Sequence, residues 1–231
     1  MGERAQNYLH AFDGRTLNWD AVLGAGFTSA PKHFVSVYRE SSRDELLRIG
    51  REGLSVPPPE IRHPEMRQEM ELLDRHRPKT VVDRGISRLG AIYAVPTPET
   101  PRLPFRKEYF VLEMKVDPEE SFIGDMDFVT CLIPFIGAHR SSLDKYKGAF
   151  TKYWDSVISL KDFFKQYRRI ETGDGGHWIA RPSAPKRFQK TYFAPEVMVM
   201  APIVSHRHIR IVRHEHVADD FCDHEEVNQF F

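Results

Sequence analysis

The chain has 231 residues, of which 41% are hydrophobic and 29% are charged, a composition typical of a globular protein rather than of a disordered chain. Its 33 basic residues are balanced by 33 acidic ones, which removes the usual electrostatic case for a general nucleic-acid binder. No apolar run reaches the ~18 residues that a transmembrane helix needs, so the sequence predicts no membrane span.

A strand and a capped helix are predicted after an N-terminal arm at residues 1–33. Residues 33–39 are rich in β-forming side chains and predict the first strand. Either serine of the pair Ser41–Ser42 is suited to begin a helix, and Glu45 follows the second serine at the spacing of a capping box. Gly53 is placed to end this helix.

The next part of the chain predicts a polar helix and three strands. Methionine and leucine recur at helical spacing over residues 64–76. Residues 89–95 predict a short buried strand that prolines end, and residues 97–107 predict a charged, proline-rich loop. Residues 109–116 indicate a strong strand, in which Phe110, Leu112, Met114 and Val116 share one face while Glu113 and Lys115 point the other way, and residues 122–125 predict a shorter strand.

The C-terminal half predicts helices first and strands last. Aromatic residues at helical spacing favour a helical region over 126–170. Glycines and prolines over 171–187 predict a long loop. Residues 196–201 and 208–213 predict the last two strands, and residues 214–231 form an acidic tail that contains histidines.

The predicted order of elements is strand, helix, helix, strand, strand, helices, loop, strand, strand. This order favours an α+β domain over residues 34–213, with a split, mostly antiparallel sheet and flanking helices. Because proline and glycine separate the strands, regular βαβ winding is not expected. No G-x-G-x-x-G sequence follows a predicted strand, so a Rossmann dinucleotide fold is not expected either.

Three short motifs follow one another in an order that suggests a family. Arg39-Glu40-Ser41 ends the first strand and precedes the helix that leads to Gly53-Leu54. Gly90-Ala91-Ile92-Tyr93-Ala94 comes next, and Glu196 opens a late strand. In this order the motifs resemble the ADP-ribosyltransferase fold family, in the branch of poly(ADP-ribose) polymerases and diphtheria-type toxins. The Pro-Glu-Val-Met-Val end also looks like that of DNA-modifying ADP-ribosyltransferase toxins.

The resemblance implies NAD⁺ as the substrate and assigns a role to each matched position. The backbone of the first motif, with Arg39, Glu40 and Ser41, would hold the nicotinamide amide. Tyr93 would stack on the nicotinamide ring. Glu196 would bond the ribose 2′-hydroxyl and stabilise an oxocarbenium-like transition state as nicotinamide leaves. A carboxylate beside a developing positive charge is most effective in a water-poor cleft.

The chain departs from the family pattern at two of these positions. Arg39 stands where that branch has histidine, and the toxin branch that begins with arginine has Ser-Thr-Ser where this chain has Ile92-Tyr93-Ala94. The expected triad is therefore a hybrid of arginine, tyrosine and glutamate. Ala194 occupies the place of the first glutamate in the E-x-E pattern of arginine-modifying enzymes, which disfavours arginine as the acceptor. Protein, nucleic acid, a small molecule and water stay open as acceptors.

Two further arginines precede the Tyr93 strand. Arg84 and Arg88 are candidates for binding the NAD⁺ pyrophosphate, since arginine pairs well with phosphate oxygens. A solvated loop is the alternative interpretation for both. Single residues also have plain structural alternatives: a surface ion pair for Arg39, a core position for Tyr93 and a strand boundary for Glu196.

Two other function classes stay open beside the enzyme. One is a catalytically silent module of the same fold that binds a nucleotide or a protein. The other is a metal-binding protein, because residues two apart on a strand share a face and histidine binds zinc. The spacing matches no strong zinc motif, so no metal site is assigned to the C-terminal histidines, His206, His208, His214, His216 and His224.

Cysteine content and the N-terminus favour a cytoplasmic protein. Cys131 and Cys222 are too few for a disulfide framework. The N-terminal segment lacks the apolar centre of a signal peptide. Secretion by a signal-independent route stays open.

Overall fold

The structure is a computed structural model that describes six stretches of the chain, residues 30–58, 64–98, 108–130, 146–172, 175–186 and 193–216. Most of the predicted N-terminal arm and most of the acidic tail lie outside these stretches. The chain divides into two compact units, each built from separate stretches of sequence. The first unit comprises Met1–Ser55, Val95–Asp117 and Pro202–Glu226; the second comprises Val56–Ala94, Pro118–Ala201 and Val227–Phe231.

Helices and strands alternate irregularly along the described residues. In chain order they are β1 (Val35–Ser41), α1 (Arg43–Glu52), β2 (Leu54–Ser55), α2 (Pro64–Arg75), α3 (Lys79–Asp83), β3 (Ile92–Ala94), β4 (Glu108–Val116), β5 (Ser121–Asp125), α4 (Lys147–Ser156), β6 (Ile158–Ser159), α5 (Leu160–Gln166), β7 (Tyr167–Thr172), β8 (Gly175–Ala180), β9 (Pro195–Val199), β10 (Ile203–Val204) and β11 (Ile209–His216). The strand pairs that these residues form are antiparallel. The predicted α+β class with mostly antiparallel sheets is therefore confirmed.

In the first unit a three-stranded sheet has the order β1-β4-β11, and β2 pairs separately with β10. The predicted strand β4 is confirmed with Phe110, Leu112 and Met114 buried on one face, but the opposite face, which includes Glu113, is buried as well. Tyr109 is 1% exposed and Val111 is 3% exposed. Both faces of the sheet are therefore covered at β4, which is the middle strand of the three.

Helix α1 begins and ends as the sequence predicts. Ser42 is the N-cap, and its hydroxyl accepts a hydrogen bond of 3.3 Å from the backbone N–H of Glu45. At the other end Gly53 has a φ of +82° and donates its N–H to the carbonyl of Ile49 at 2.7 Å. A Cβ at this glycine would lie 2.7 Å from the carbonyl oxygen of Val204, so both the conformation and the contact require glycine.

In the second unit a four-stranded sheet has the order β3-β9-β5-β6, and β7 pairs with β8 in a hairpin. Its core contains side chains from α2, β5, α4 and β9 together with the segment around α3. The buried core residues are Leu73, Val81, Ile86, Ala91, Phe122, Val129, Phe150, Tyr153, Trp154, Val157 and Met198. Among the described residues no helix is long and apolar enough to cross a membrane.

The hairpin corrects the expectations for two neighbouring regions. Residues 126–170 include β6 and the start of β7 as well as helices, and the predicted loop at 171–187 contains β8. The reason is tertiary packing: the Trp178 ring lies 4.8 Å from that of Phe163, and Trp178 forms an isolated bridge with Phe193. These contacts outweigh the local loop preference of the glycines. Strand β3 is also shorter than the predicted 89–95, because residues 88–90 form a turn.

Candidate functional site

The central feature of the second unit is a carboxylate near the start of β9. Glu196 lies opposite Gly124 of β5, and two residues later Met198 lies opposite Tyr93 of β3. Directly opposite residues share a face of a sheet, as do residues two apart on one strand. Glu196, Met198 and Tyr93 are therefore on one face, and the Glu196 side chain is 17% exposed.

The Glu196 carboxylate is bound by a buried guanidinium. Nη2 of Arg88 donates to Oε1 of Glu196 at 3.2 Å, and Nη1 donates to Oε2. The Arg88 side chain is only 3% exposed. Two parallel bonds of this kind fix both the direction and the rotation of a carboxylate.

Tyr153 of α4 completes the contacts of this carboxylate. Its hydroxyl donates to Oε2 of Glu196 at 3.0 Å and accepts from Nη1 of Arg88 at 2.7 Å. The ring approaches β5 so closely that a Cβ at Gly124 would lie 3.0 Å from it. Glycine at this position thus makes room for the tyrosine.

A second carboxylate also contacts the guanidinium. Oε1 of Glu69, on α2, is 3.5 Å from Nη2 of Arg88, and the Glu69 side chain is 8% exposed. Arg88 therefore carries a positive charge between Glu69 and Glu196. We call these four side chains, Glu69, Arg88, Tyr153 and Glu196, the Arg88 cluster.

Burial and charge shift three pKa values in the Arg88 cluster. Burial raises the pKa of the Glu69 carboxyl; Arg88 opposes this rise, and Glu196 adds to it. Burial alone would lower the pKa of Arg88, but the facing groups, Glu196 first, raise it well above its usual value. Burial also raises the pKa of Tyr153 well above its usual value. Arg88 thus stays charged, and Tyr153 keeps the proton that it donates to Glu196.

The turn that carries Arg88 is held by Asp74 at the end of α2. Its carboxylate accepts from the Ser87 hydroxyl at 2.5 Å, from the Arg88 N–H at 2.9 Å and from the Leu89 N–H at 3.3 Å. The Tyr93 hydroxyl donates to the carbonyl of Arg88 at 2.6 Å. The backbone of Arg88 is therefore fixed from two sides.

The first motif lies in the other unit, on β1, and its side chains meet at Glu45. Nη2 of Arg39 donates to Oε1 of Glu45 at 2.7 Å, and the Ser41 hydroxyl donates to Oε2 at 2.8 Å. Ser41 is buried and Glu40 is partly buried. The backbone N–H of Glu45 thus bonds the cap residue Ser42, while its carboxylate accepts hydrogen bonds from both Arg39 and Ser41.

The structure thus brings some of the expected site residues together. Tyr93, Arg88 and Glu196 form one set of contacts in the second unit. Arg84 is exposed at the end of α3, with its guanidinium 4.6 Å from the centre of the Phe122 ring. The alternative of a solvated loop position is wrong for Arg88, because the residue is buried and its charge is paired with Glu196. A pyrophosphate contact by either arginine stays a prediction, which the exposure of Arg84 permits and the burial of Arg88 opposes.

Two members of the Arg88 cluster are missed by the sequence reasoning. Tyr153 falls in an aromatic run that predicts core packing, and nothing local marks its hydroxyl. Glu69 has a signal: it follows Met66 by three residues and precedes Leu73 by four, so it lies on the apolar stripe of α2. A charged residue on an apolar stripe indicates a buried ionic contact.

Two of the C-terminal histidines, His206 and His208, do not lie on a strand. These residues form a 3₁₀ turn rather than a strand, so the strand rule that residues two apart share a face does not apply to them. In the stretches that the structure describes, no group of three or more potential metal ligands is found. His63, His224, Cys131 and Cys222 lie outside those stretches.

The comparisons with known proteins return no match: neither a family model, nor a curated protein, nor a solved structure matches this chain.

Proposed function

We propose that the protein is a mono-ADP-ribosyltransferase-like enzyme that uses NAD⁺ as its substrate. The reaction breaks the bond between nicotinamide and the ribose C1′, and the bonding electrons leave with nicotinamide. The acceptor then attacks C1′ and loses a proton, so that ADP-ribose is transferred; water as acceptor gives hydrolysis. The observation that supports this proposal best is the Glu196 carboxylate, fixed by Arg88 and Tyr153 at the start of a central strand.

The geometry of Glu196 suits the role that the resemblance gives it. A carboxylate has roughly four lone-pair directions, and the hydrogen bonds from Arg88 and Tyr153 described above use three of them. A further donor such as a ribose hydroxyl can take the fourth. The side chain is largely buried but still 17% exposed, so a ligand can reach it while most water is kept away. A fixed negative charge in a site that excludes most water stabilises a cationic transition state most effectively.

Tyr93 suits a stacking role because its ring is held in place. Its hydroxyl is bound to the carbonyl of Arg88, and the ring is partly buried on the same sheet face as Glu196. The family assigns the nicotinamide amide to the backbone of the first motif. That role does not use the side chains of Arg39 and Ser41, which are bound to Glu45.

One observation favours a catalytically silent module of the same fold. Glu196 already pairs with a buried, permanently charged arginine that also faces Glu69. An ionic cluster of this kind can serve the core alone, without contributing to a reaction. NAD⁺ binding without cleavage is the behaviour expected of such a module.

Nicotinamide release from NAD⁺ separates these two functions. We expect release by the wild-type protein and a loss of about 100-fold in Glu196→Gln, since the charge that stabilises the transition state is removed. Glu171→Gln is the matched control, because Glu171 is an exposed glutamate of β7 in the same unit. It should release nicotinamide at the wild-type rate.

Calorimetric titration with NAD⁺ completes the test. Binding without release by the wild-type protein would support the silent module. Neither binding nor release would refute both the enzyme and a silent module that binds NAD⁺, and would favour a module that binds a protein. Equal rates for Glu196→Gln and the wild type would refute Glu196 as the catalytic carboxylate.

A further inference from the structure

We infer that Arg88 and Tyr153 are positioning residues that hold the Glu196 carboxylate in the one orientation needed for NAD⁺ cleavage. This inference rests on the proposed function and gives the Arg88 cluster a purpose beyond stability. It also gives Arg88 a different role from the pyrophosphate contact that the sequence suggests.

The contacts of both residues converge on the reacting group. The guanidinium of Arg88 bonds both carboxylate oxygens, and the Tyr153 hydroxyl bonds Oε2. A glutamate side chain has three rotatable bonds, so without such contacts it would spread over several rotamers. The three hydrogen bonds from Arg88 and Tyr153 restrict the carboxylate to one orientation before the substrate binds. Preorganised catalysis requires such a fixed orientation.

Neither residue is exposed enough to reach a substrate itself. Arg88 and Tyr153 are both buried. Their effect on the reaction must therefore pass through Glu196. For this reason they are positioning residues rather than catalytic ones.

The surroundings of Arg88 and Tyr153 are themselves fixed. Asp74 binds the turn that carries Arg88, and Glu69 lies 3.5 Å from Nη2 of the guanidinium. Gly124 admits the Tyr153 ring. The orientation of one carboxylate thus depends on α2, the turn before β3, α4 and β5 together, which is more support than an ordinary surface ion pair has.

The test compares two conservative variants with two matched controls. Tyr153→Phe removes one hydroxyl, and Arg88→Lys keeps the charge but loses the two-pronged geometry. Tyr167→Phe removes a hydroxyl from another buried tyrosine of this unit. Arg181→Lys changes another arginine of the same unit, whose Nε donates to the carbonyl of Tyr167, away from the turn that carries Arg88. For each variant, kcat and KM of nicotinamide release are measured, and circular dichroism checks the fold.

A positioning role predicts a loss in kcat with KM nearly unchanged. We expect kcat to fall about 10-fold in Tyr153→Phe, because one hydrogen bond to a charged group is lost. In Arg88→Lys we expect a fall of about 100-fold, the size of effect that a misplacement of about 1 Å produces. KM should stay within about twofold of the wild type, and both controls should keep the wild-type kcat.

The outcomes separate this inference from the proposed function. If the wild type releases nicotinamide and Glu196→Gln does not, while Tyr153→Phe matches Tyr167→Phe in kcat, the positioning role is overturned and the enzyme function stands. A change in KM alone overturns it as well. Absence of release by the wild type overturns the proposed function and this inference together. If Arg88→Lys does not fold, Tyr153→Phe alone decides, because it removes a single oxygen atom.

Discussion

Replacement of Arg88 by methionine tests how strongly the Arg88 cluster depends on its one positive charge. Methionine is nearly as long as the arginine stem, so most of the packing is kept while the charge is lost. The carboxylates of Glu69 and Glu196 are then left largely buried without their cation. Removal of one member of a buried ion pair typically costs about 3–5 kcal/mol. We expect the free energy of unfolding at neutral pH to fall by about this amount.

The stability loss in Arg88→Met should also depend on pH, in a direction that follows from the pKa of Glu69. Arg88 is the influence that lowers the pKa of Glu69, so its removal lets burial raise that pKa further. A carboxyl with a raised pKa binds more protons in the folded than in the unfolded protein, and the stability then falls as the pH rises. The difference between Arg88→Met and the wild type should therefore be larger at pH 8 than at pH 5.

Urea unfolding followed by tryptophan fluorescence measures this effect, because Trp154 and Trp178 both lie in the unit that contains the cluster. A triple variant, Arg88→Met with Glu69→Gln and Glu196→Gln, removes the two negative charges as well. It should recover most of the loss, since neutral replacements of buried ion pairs are often tolerated. The reasoning would be refuted by a loss below about 1 kcal/mol in Arg88→Met at pH 8. A triple variant no more stable than Arg88→Met would refute it too.

Two further predictions concern the conformation of a glycine and the charge of Glu69. Gly53→Ala should lower the free energy of unfolding by about 3 kcal/mol, because it combines a strained φ with a contact of 2.7 Å to the Val204 carbonyl. The control, Gly85→Ala, has a φ of +68° and nothing within 4 Å of the added Cβ, so chemical unfolding should show a loss of only about 1 kcal/mol. Because the pKa of Glu69 is raised, ionisation of this carboxyl should lower the wild-type free energy of unfolding as the pH rises above the ordinary glutamate value of 4.5. Glu69→Gln should remove this contribution. The prediction would be contradicted if the free energies of unfolding of Glu69→Gln and the wild type differed by the same amount at every pH.

Local features of the chain were predictable because they depend on neighbouring residues. The cap at Ser42 and the end at Gly53 follow from the chemistry of a few consecutive residues. The alternation along β4 follows from the period of a strand in the same way. Residues 64–75 form α2 because their apolar side chains recur at helical spacing, which the sequence shows directly.

The candidate site is predictable only in part, because its contacts join residues that are far apart in the sequence. The sequence marks Tyr93, Arg88 and Glu196 individually, but it does not show that Arg88 lies against Glu196, 108 residues away. It counts Tyr153 as a core aromatic, since only packing decides which of several tyrosines places its hydroxyl on the carboxylate. Long-range contacts of this kind have no local signature.

The sequence by itself determined the α+β class with mostly antiparallel sheets, the limits of α1 and the approximate places of the main strands. These features depend on backbone conformation and on the spacing of apolar residues, both of which are written into short segments. The tertiary structure alone decided that β4 is buried on both faces and that β7 and β8 form a hairpin. It also decided that Arg88 is enclosed between two carboxylates. A buried charge is stable only where opposite charges lie close to it. Here those charges come from segments that are far apart in the sequence, so only the packing of these segments brings them together.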